Sequence, residues 1–290
     1  MSVILGVNHQ FLFPEAIVNK KAHTETLKAL SNHQGIDALD CWIWRNEDKE
    51  EAKILIDSGK IINYNIGDRF GEEIALPSSK NENDRQRAYS LMMREIEYAL
   101  KVNSKKIIFG SGPDDPNDRK SAINRFKELI LRVASQLPKD VQLSFEPTDR
   151  DIDKHFLFGP LDETVDFIKS LKSEGANIGL LIDMCHVPLM YETLDSALEK
   201  GKEILNHVHL GNCLLKEKNS PFYGDKHIPW NFPESEYTEE KAIYFIKKLN
   251  DIGYLLPNAT VSFEMRPYDG VSPTESLERF ISVWKKGYKN

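Results

Sequence analysis

Apolar positions along the chain fall into short unbroken runs separated by longer amphipathic stretches. The runs occupy residues 3–7, 36–43, 61–66, 106–109, 141–145, 178–182, 204–210 and 259–263. Each is too short for a buried helix and rich in Val, Ile, Leu or Phe, the pattern of a strand buried on both faces. Between them the period changes to that of a helix. Ile123, Phe126, Ile130, Val133 and Leu137 mark an amphipathic helix over 121–136, and Met92, Ile96 and Ala99 give the buried stripe of one over 84–102. Further helices are expected over 16–30, with Val18, Ala22, Leu27 and Leu30 on one side, and over 161–171, 191–198 and 238–249. Asn46 is expected to cap an acidic helix carrying Glu47 and Asp48 in its first turn, which Gly59 closes. Leu277, Phe280, Ile281 and Trp284 mark a closing helix. Phe11, Phe13 and Pro14 read as an exposed loop.

Strands alternating with helices belong to the α/β class, with a parallel sheet covered by helices. The chain has 290 residues and no internal boundary rich in Gly, Pro and Ser, so a single domain over 1–290 is expected. Eight strand–helix units favour a closed (β/α)8 barrel, with an open doubly wound sheet as the alternative.

The ends of four runs carry the chemistry. Glu146, Asp183, His209 and Glu264 each follow or close an apolar strand, so a parallel barrel would bring three carboxylates and one imidazole to one point. Carboxylates there must be paired, hydrogen-bonded or metal-bound, and a structural ion pair is the plain alternative for either glutamate alone. The oxygen-rich set suits a divalent ion: Mn²⁺ first, then Mg²⁺ or Co²⁺, with Zn²⁺ also able to accept it. His186 follows Asp183 by three residues, and His207 shares a strand face with His209. Asp225 and His227 lie in the longest loop, about 211–237, and suit a substrate or second-ion site; loops of that length are usually functional. Arg266 is placed to meet a substrate oxygen or a carboxylate, and Trp44, Trp230 and Phe13 are candidate apolar walls. The turn Gly110-Ser111-Gly112-Pro113 lacks the Lys-Ser/Thr ending of a phosphate loop and reads as a tight turn.

Composition narrows the classes. With 38 Lys and Arg against 45 Asp and Glu, the formal net charge of −7 gives no help in binding nucleic acid or an anionic membrane. Three scattered cysteines form no disulfide framework, so a reducing, cytoplasmic setting is expected. No stretch is long and apolar enough to span a bilayer, and the first 13 residues lack the basic segment of a secretory signal.

These residues, most firmly those from Leu143 to Pro267, resemble the xylose-isomerase-like superfamily of TIM (β/α)8 barrels, and the resemblance covers nearly the whole chain. The superfamily includes sugar isomerases and epimerases, inosose dehydratases and endonuclease IV type nucleases. The order Glu146, Asp183, His209, Glu264 is similar to the metal set of its ketose 3-epimerases. That branch implies a metal-dependent isomerase or epimerase of a small sugar, working through an enediolate. It also implies Glu146 and Glu264 as the proton-moving pair, His186 on the substrate, and frequent dimers or tetramers. An arginine follows the metal histidine closely in those epimerases; Lys216 is the nearest basic residue here. The nuclease branch shares Asp225, His186 and His227 but needs two more histidines on earlier strands. Those strand ends carry Asn63-Tyr64 and Gly110-Ser111, and no histidine lies between His33 and His155. A three-ion cluster and a nucleic-acid partner are therefore not expected. A sugar-binding barrel without catalysis is the third reading.

Overall fold

A computed structural model describes residues 2–44, 49–67 and 69–288. Eight strands run β1 (Ile4–Asn8), β2 (Ala38–Cys41), β3 (Ile61–Asn65), β4 (Lys106–Phe109), β5 (Gln142–Phe145), β6 (Ile178–Asp183), β7 (Leu205–Leu210) and β8 (Thr260–Phe263). All are parallel, each pairs with its successor, and β8 returns to β1, so the sheet is a closed barrel. The helices are α1 (His9–Leu12), α2 (Lys20–Ser31), α3 (Lys49–Asp57), α4 (Arg69–Glu72), α5 (Glu82–Lys101) and α6 (Arg119–Ala134). After them come α7 (Leu161–Ser173), α8 (His186–Leu189), α9 (Leu194–Gly201), α10 (Glu239–Asp251) and α11 (Pro273–Gly287).

The period of two divides each strand. Val7, Leu39, Tyr64, Ile107, Phe145, Leu180, Val208 and Phe263 face outward into the hydrophobic core between strands and helices. Ala38, Ile108 and Leu181 are fully buried yet stand apart from that core, because they point into the barrel. The same inward face carries polar side chains that are almost wholly buried: Asn8, Asp40, Asn63, Ser144, His207 and Ser262. Small residues let the strands close. A methyl group on Gly6 would lie 2.5 Å from Ser262 Oγ and 3.1 Å from the Ala38 Cβ.

Caps explain where the helices depart from the simple periodic reading. The expected helix over 16–30 is two pieces: a 3₁₀ turn at Pro14–Ile17, then α2, whose N-cap Asn19 accepts from the Ala22 N–H. Val18 sits at the break and is 83% exposed, not on the buried stripe. The expected helix over 191–198 begins three residues later, as α9: Tyr191 takes φ +60° and Thr193 is the N-cap, its side chain accepting from the Ser196 N–H. Phe11 and Phe13 do not form an exposed loop. Asn8 caps the single turn α1 through the Gln10 and Phe11 N–H groups, and Phe13 is buried. α11 begins with Pro273 and a full capping box between Ser272 and Glu275. The expected cap at Asn46 lies outside the described residues. Gly112 adopts φ +74°, which fits the tight turn expected after β4.

Candidate active site

The C-terminal ends of β5 to β8 converge as the barrel topology requires. Glu146, Asp183, His209 and Glu264 offer ligand atoms that all lie within 4.8 Å of one another. His209 Nδ1 faces all three carboxylates: Glu146 Oε1 at 3.3 Å, Asp183 Oδ2 at 3.5 Å, and Glu264 Oε2 in direct contact. Asp183, His209 and Glu264 are buried; the Glu146 side chain is 13% exposed and faces the cavity above.

Two observations test whether these residues fit a divalent cation. Asp183 Oδ2 and Glu264 Oε2 are buried without a hydrogen-bond partner among the described residues, although both approach His209. Such orphaned oxygens are costly unless a cation satisfies them. Three oxygens and one imidazole nitrogen also form a donor set suited to a hard or borderline ion. The residues fit a divalent-metal site.

Electrostatics agree. Burial, reinforced by the neighbouring Glu146, pushes the Glu264 carboxyl up to about 8 despite the opposing imidazoles of His209 and His227. Burial lowers the affinity of His209 for a proton, but the charges of Glu264 and Glu146 outweigh it and hold its pKa well above the usual range. Without a cation, this cluster holds protons in its place. Asp183 moves the other way: burial raises its pKa, and His186, His209 and His227 more than reverse that.

A second group adjoins the first. Asp225 Oδ1 lies 3.2 Å from His186 Nε2 and 2.8 Å from His227 Nε2, and it accepts the Cys185 thiol at 3.5 Å. His186 Nδ1 donates to the Pro147 carbonyl at 3.1 Å, and His227 Nδ1 to the Glu264 carbonyl at 2.9 Å. With acceptors at both nitrogens, each ring is stabilised as the imidazolium; burial opposes this, yet His227 is raised to about 9, chiefly by Asp225 and Glu264. His227 adopts φ +50°, a strained conformation for a residue with a Cβ, which the surrounding hydrogen bonds maintain. The 211–237 loop therefore returns to the metal cluster, as its length and its Asp-x-His spacing lead one to expect.

The other expected residues scatter. Lys216 is exposed, its amine 3.5 Å from the Ser235 carbonyl. Arg266 is half-buried, with Nε donating to the Lys226 carbonyl at 2.9 Å. Trp230 is wholly buried against Phe263 and Phe280 in the outer core behind the strands, so it is not a wall of the cavity. Trp44 packs 5.6 Å from Trp42, and it is Trp42, with Phe11, that lines the cavity over the cluster. That cavity has a volume of about 150 Å³ and also takes in Asn8, Asn65, Glu72 and Lys154. A larger depression of about 1040 Å³ lies at the other end of the barrel, against the strand N-termini. It contains none of these acids and histidines, and chemistry in such barrels belongs to the C-terminal end.

Three supporting residues escaped the sequence reading. Asn8 on β1 donates to Glu264 Oε1 at 2.6 Å. Asp40 on β2 accepts from both His207 Nε2 at 2.8 Å and His209 Nε2 at 2.9 Å, and Asn63 on β3 donates to its other oxygen at 2.6 Å. The available signal was an acid inside the apolar run Ala38-Leu39-Asp40-Cys41, where a carboxylate needs partners. His207 is the core histidine of this group: burial, with Lys106 and His209 nearby, lowers it to about 3 despite Asp40, so its ring is neutral.

Known proteins of the same architecture share this shape. The crystal structure of a D-tagatose 3-epimerase-like protein superposes with a TM-score of 0.72 at 16% identity, over 98% of this chain and 98% of that one. An AP endonuclease, family 2 from Brucella melitensis gives 0.71 at 19% identity, over 97% and 99%. D-psicose 3-epimerase from Clostridium cellulolyticum H10, in complex with D-tagatose, gives 0.63 at 19% identity, over 98% and 91%. At such identities the likeness concerns the fold. No curated protein matches the sequence. The family model described as Xylose isomerase-like TIM barrel matches residues 44–287, and with the closed barrel and its four convergent strand ends this chain belongs to the xylose isomerase-like TIM barrel family.

Proposed function

We propose that the chain is a divalent-metal-dependent isomerase or epimerase of a small sugar, moving protons at carbon through an enediolate. The observation that carries this reading is the pair Glu146 and Glu264, two carboxylates that flank one imidazole and line one small cavity. A cavity of about 150 Å³ is below the range of about 300–1,000 Å³ typical for drug-sized ligands and matches a monosaccharide better than a nucleotide. Solved relatives described as ketose 3-epimerases support the same chemistry.

Glu146, Asp183, His209 and Glu264 would hold the ion, with Mn²⁺ as the expected metal. When bound, a divalent cation polarises a carbonyl and stabilises negative charge on neighbouring oxygens. This chain's residues supply the rest. One of Glu146 and Glu264 removes the proton beside the carbonyl and the other returns one, each placed by the barrel beneath it. Asn8 fixes the orientation of Glu264 through its 2.6 Å hydrogen bond. His186 and His227, both held by Asp225 with their ring N–H groups already engaged, line the cavity wall and place positive charge beside the substrate oxygens. Phe11 and Trp42 provide apolar faces against which a sugar ring packs.

One observation favours a second reading: the His186, Asp225 and His227 group stands beside the first cluster, as a multi-ion nuclease would require. Against it, Asn65 and Gly110 line the cavity at the ends of β3 and β4, where that chemistry needs histidines. The test is product analysis after incubating the metal-loaded protein with a panel of ketoses and aldoses, beside DNA containing abasic sites. Conversion of a sugar to its epimer or isomer is expected. Strand cleavage with three zinc ions per chain would establish the nuclease instead. Tight sugar binding without conversion would establish a binding module.

A further inference from the structure

We infer that Asp40 is a positioning residue for the metal-facing histidine: it anchors His209 through Nε2 and so makes Nδ1 the atom presented to the ion. The inference rests on the metal reading above and adds a residue from β2, a strand that supplies none of the four ligands.

The argument is one of hydrogen-bond direction. Asp40 Oδ2 lies 2.9 Å from His209 Nε2 and 2.8 Å from His207 Nε2, while Oδ1 accepts the Asn63 amide at 2.6 Å. A carboxylate only accepts, so both imidazoles must carry their proton on Nε2. For His209 this leaves Nδ1, which faces Glu146, Asp183 and Glu264, as the nitrogen with a lone pair to give. For His207 it makes Nδ1 an acceptor, and the Thr260 hydroxyl lies 2.6 Å from it, placed to donate. Thr260 Oγ1 in turn accepts from the Lys106 amine, which also donates to the Asn206 carbonyl at 2.6 Å. The donors therefore run in one direction, Lys106 to Thr260 to His207 to Asp40, and His209 meets the chain from the other side. Reversing the His209 tautomer would set an imidazole lone pair against a carboxylate with both buried.

Burial and register make the device rigid. Asp40, His207 and His209 are all 0% exposed. Asp40 is in register with Asn8 on β1 and Asn63 on β3. Asn63 holds Asp40, and Asn8 holds Glu264. One layer of the barrel thus orients two of the ligands. Partners that orient a metal-bound histidine generally govern metal affinity by about 10- to 100-fold.

The experiment uses Zn²⁺ as a diamagnetic probe, with calorimetric titration of the metal-free full chain and ¹⁵N spectra of its histidines. In the Zn²⁺-loaded wild type, His209 should show a metal-bound Nδ1 and a protonated, hydrogen-bonded Nε2. Asp40→Asn should weaken Zn²⁺ binding by about 10- to 100-fold and broaden or shift the Nε2–H signal. Wild-type spectra with the metal on Nε2 would overturn the inference even if the variant failed to fold. So would an Asp40→Asn protein with wild-type affinity and an unchanged tautomer. Absence of any Zn²⁺ binding to wild type would overturn the metal reading itself, a result distinct from the other two.

Discussion

Gly211 follows β7 directly and has no room for a side chain. A Cβ there would lie 2.6 Å from Asp183 Oδ1, 2.8 Å from the Cys185 Cβ and 3.3 Å from the Cys185 nitrogen. None of these neighbours can swing aside easily. Asp183 Oδ1 accepts the Cys185 N–H in a short hydrogen bond, and Cys185 is fully buried. Relieving the clash needs a displacement of roughly 0.5–1 Å, since carbon–oxygen contacts settle only above about 3 Å. Sites of this kind tolerate about 0.5 Å. Gly211→Ala should therefore move Asp183 out of place and weaken Mn²⁺ binding about tenfold or more. Overpacking should also lower stability by about 1–3 kcal/mol. Calorimetric titration of the metal-free protein with Mn²⁺ and thermal melts with and without the ion read the two effects separately. The reasoning fails if the variant binds Mn²⁺ as tightly as wild type, because Asp183 would then be either indifferent to its neighbour or not a ligand.

Further outcomes follow from the same geometry. Between pH 6.5 and 8 the metal-free protein should lose stability as pH rises. Glu264 and His227, raised to about 8 and about 9, hold protons that the unfolded chain has released, so their stabilisation is lost as pH climbs through those values. The slope should be about 1.4 kcal/mol per pH unit for each proton held, measured by denaturant titration, and a flat or rising profile would contradict it. Ion binding displaces the proton held by Glu264, so Mn²⁺ affinity should increase as pH rises toward 8, accompanied by proton release in calorimetry with buffers of different ionisation enthalpy. His186→Ala should leave most ion binding intact, because His186 is not among the four convergent ligands, while turnover falls at least about tenfold. Loss of the ion in that variant would place His186 in the metal set instead.

The architecture was legible because strands buried on both faces stand out against amphipathic helices. β4 lies at Lys106–Phe109, where the pattern placed it, and the other strands moved by a few residues at most. Helix ends were harder, since they depend on single caps. Asn19 splits off a piece that periodicity had joined, and Thr193 moves the start of α9 by three residues. The convergence of Glu146, Asp183, His209 and Glu264 could be read because a parallel barrel carries all strand ends to one face. Asp40 could not be assigned a partner, for its contacts with His207 and His209 cross about 170 residues of sequence. The cavity wall was missed by two residues: Trp42 and Trp44 are indistinguishable as isolated aromatics, and only the end of β2 decides which of them reaches the cavity.

The central claim is proton transfer at carbon by Glu146 and Glu264 over a metal centre. The most direct test is turnover of the preferred sugar in heavy water by the metal-loaded protein, with the position of deuterium read by NMR. The account predicts stereospecific deuterium at the carbon beside the carbonyl, and loss of that exchange in Glu264→Gln with the fold intact. Product formed without any solvent deuterium, or exchange undiminished in Glu264→Gln, would contradict it.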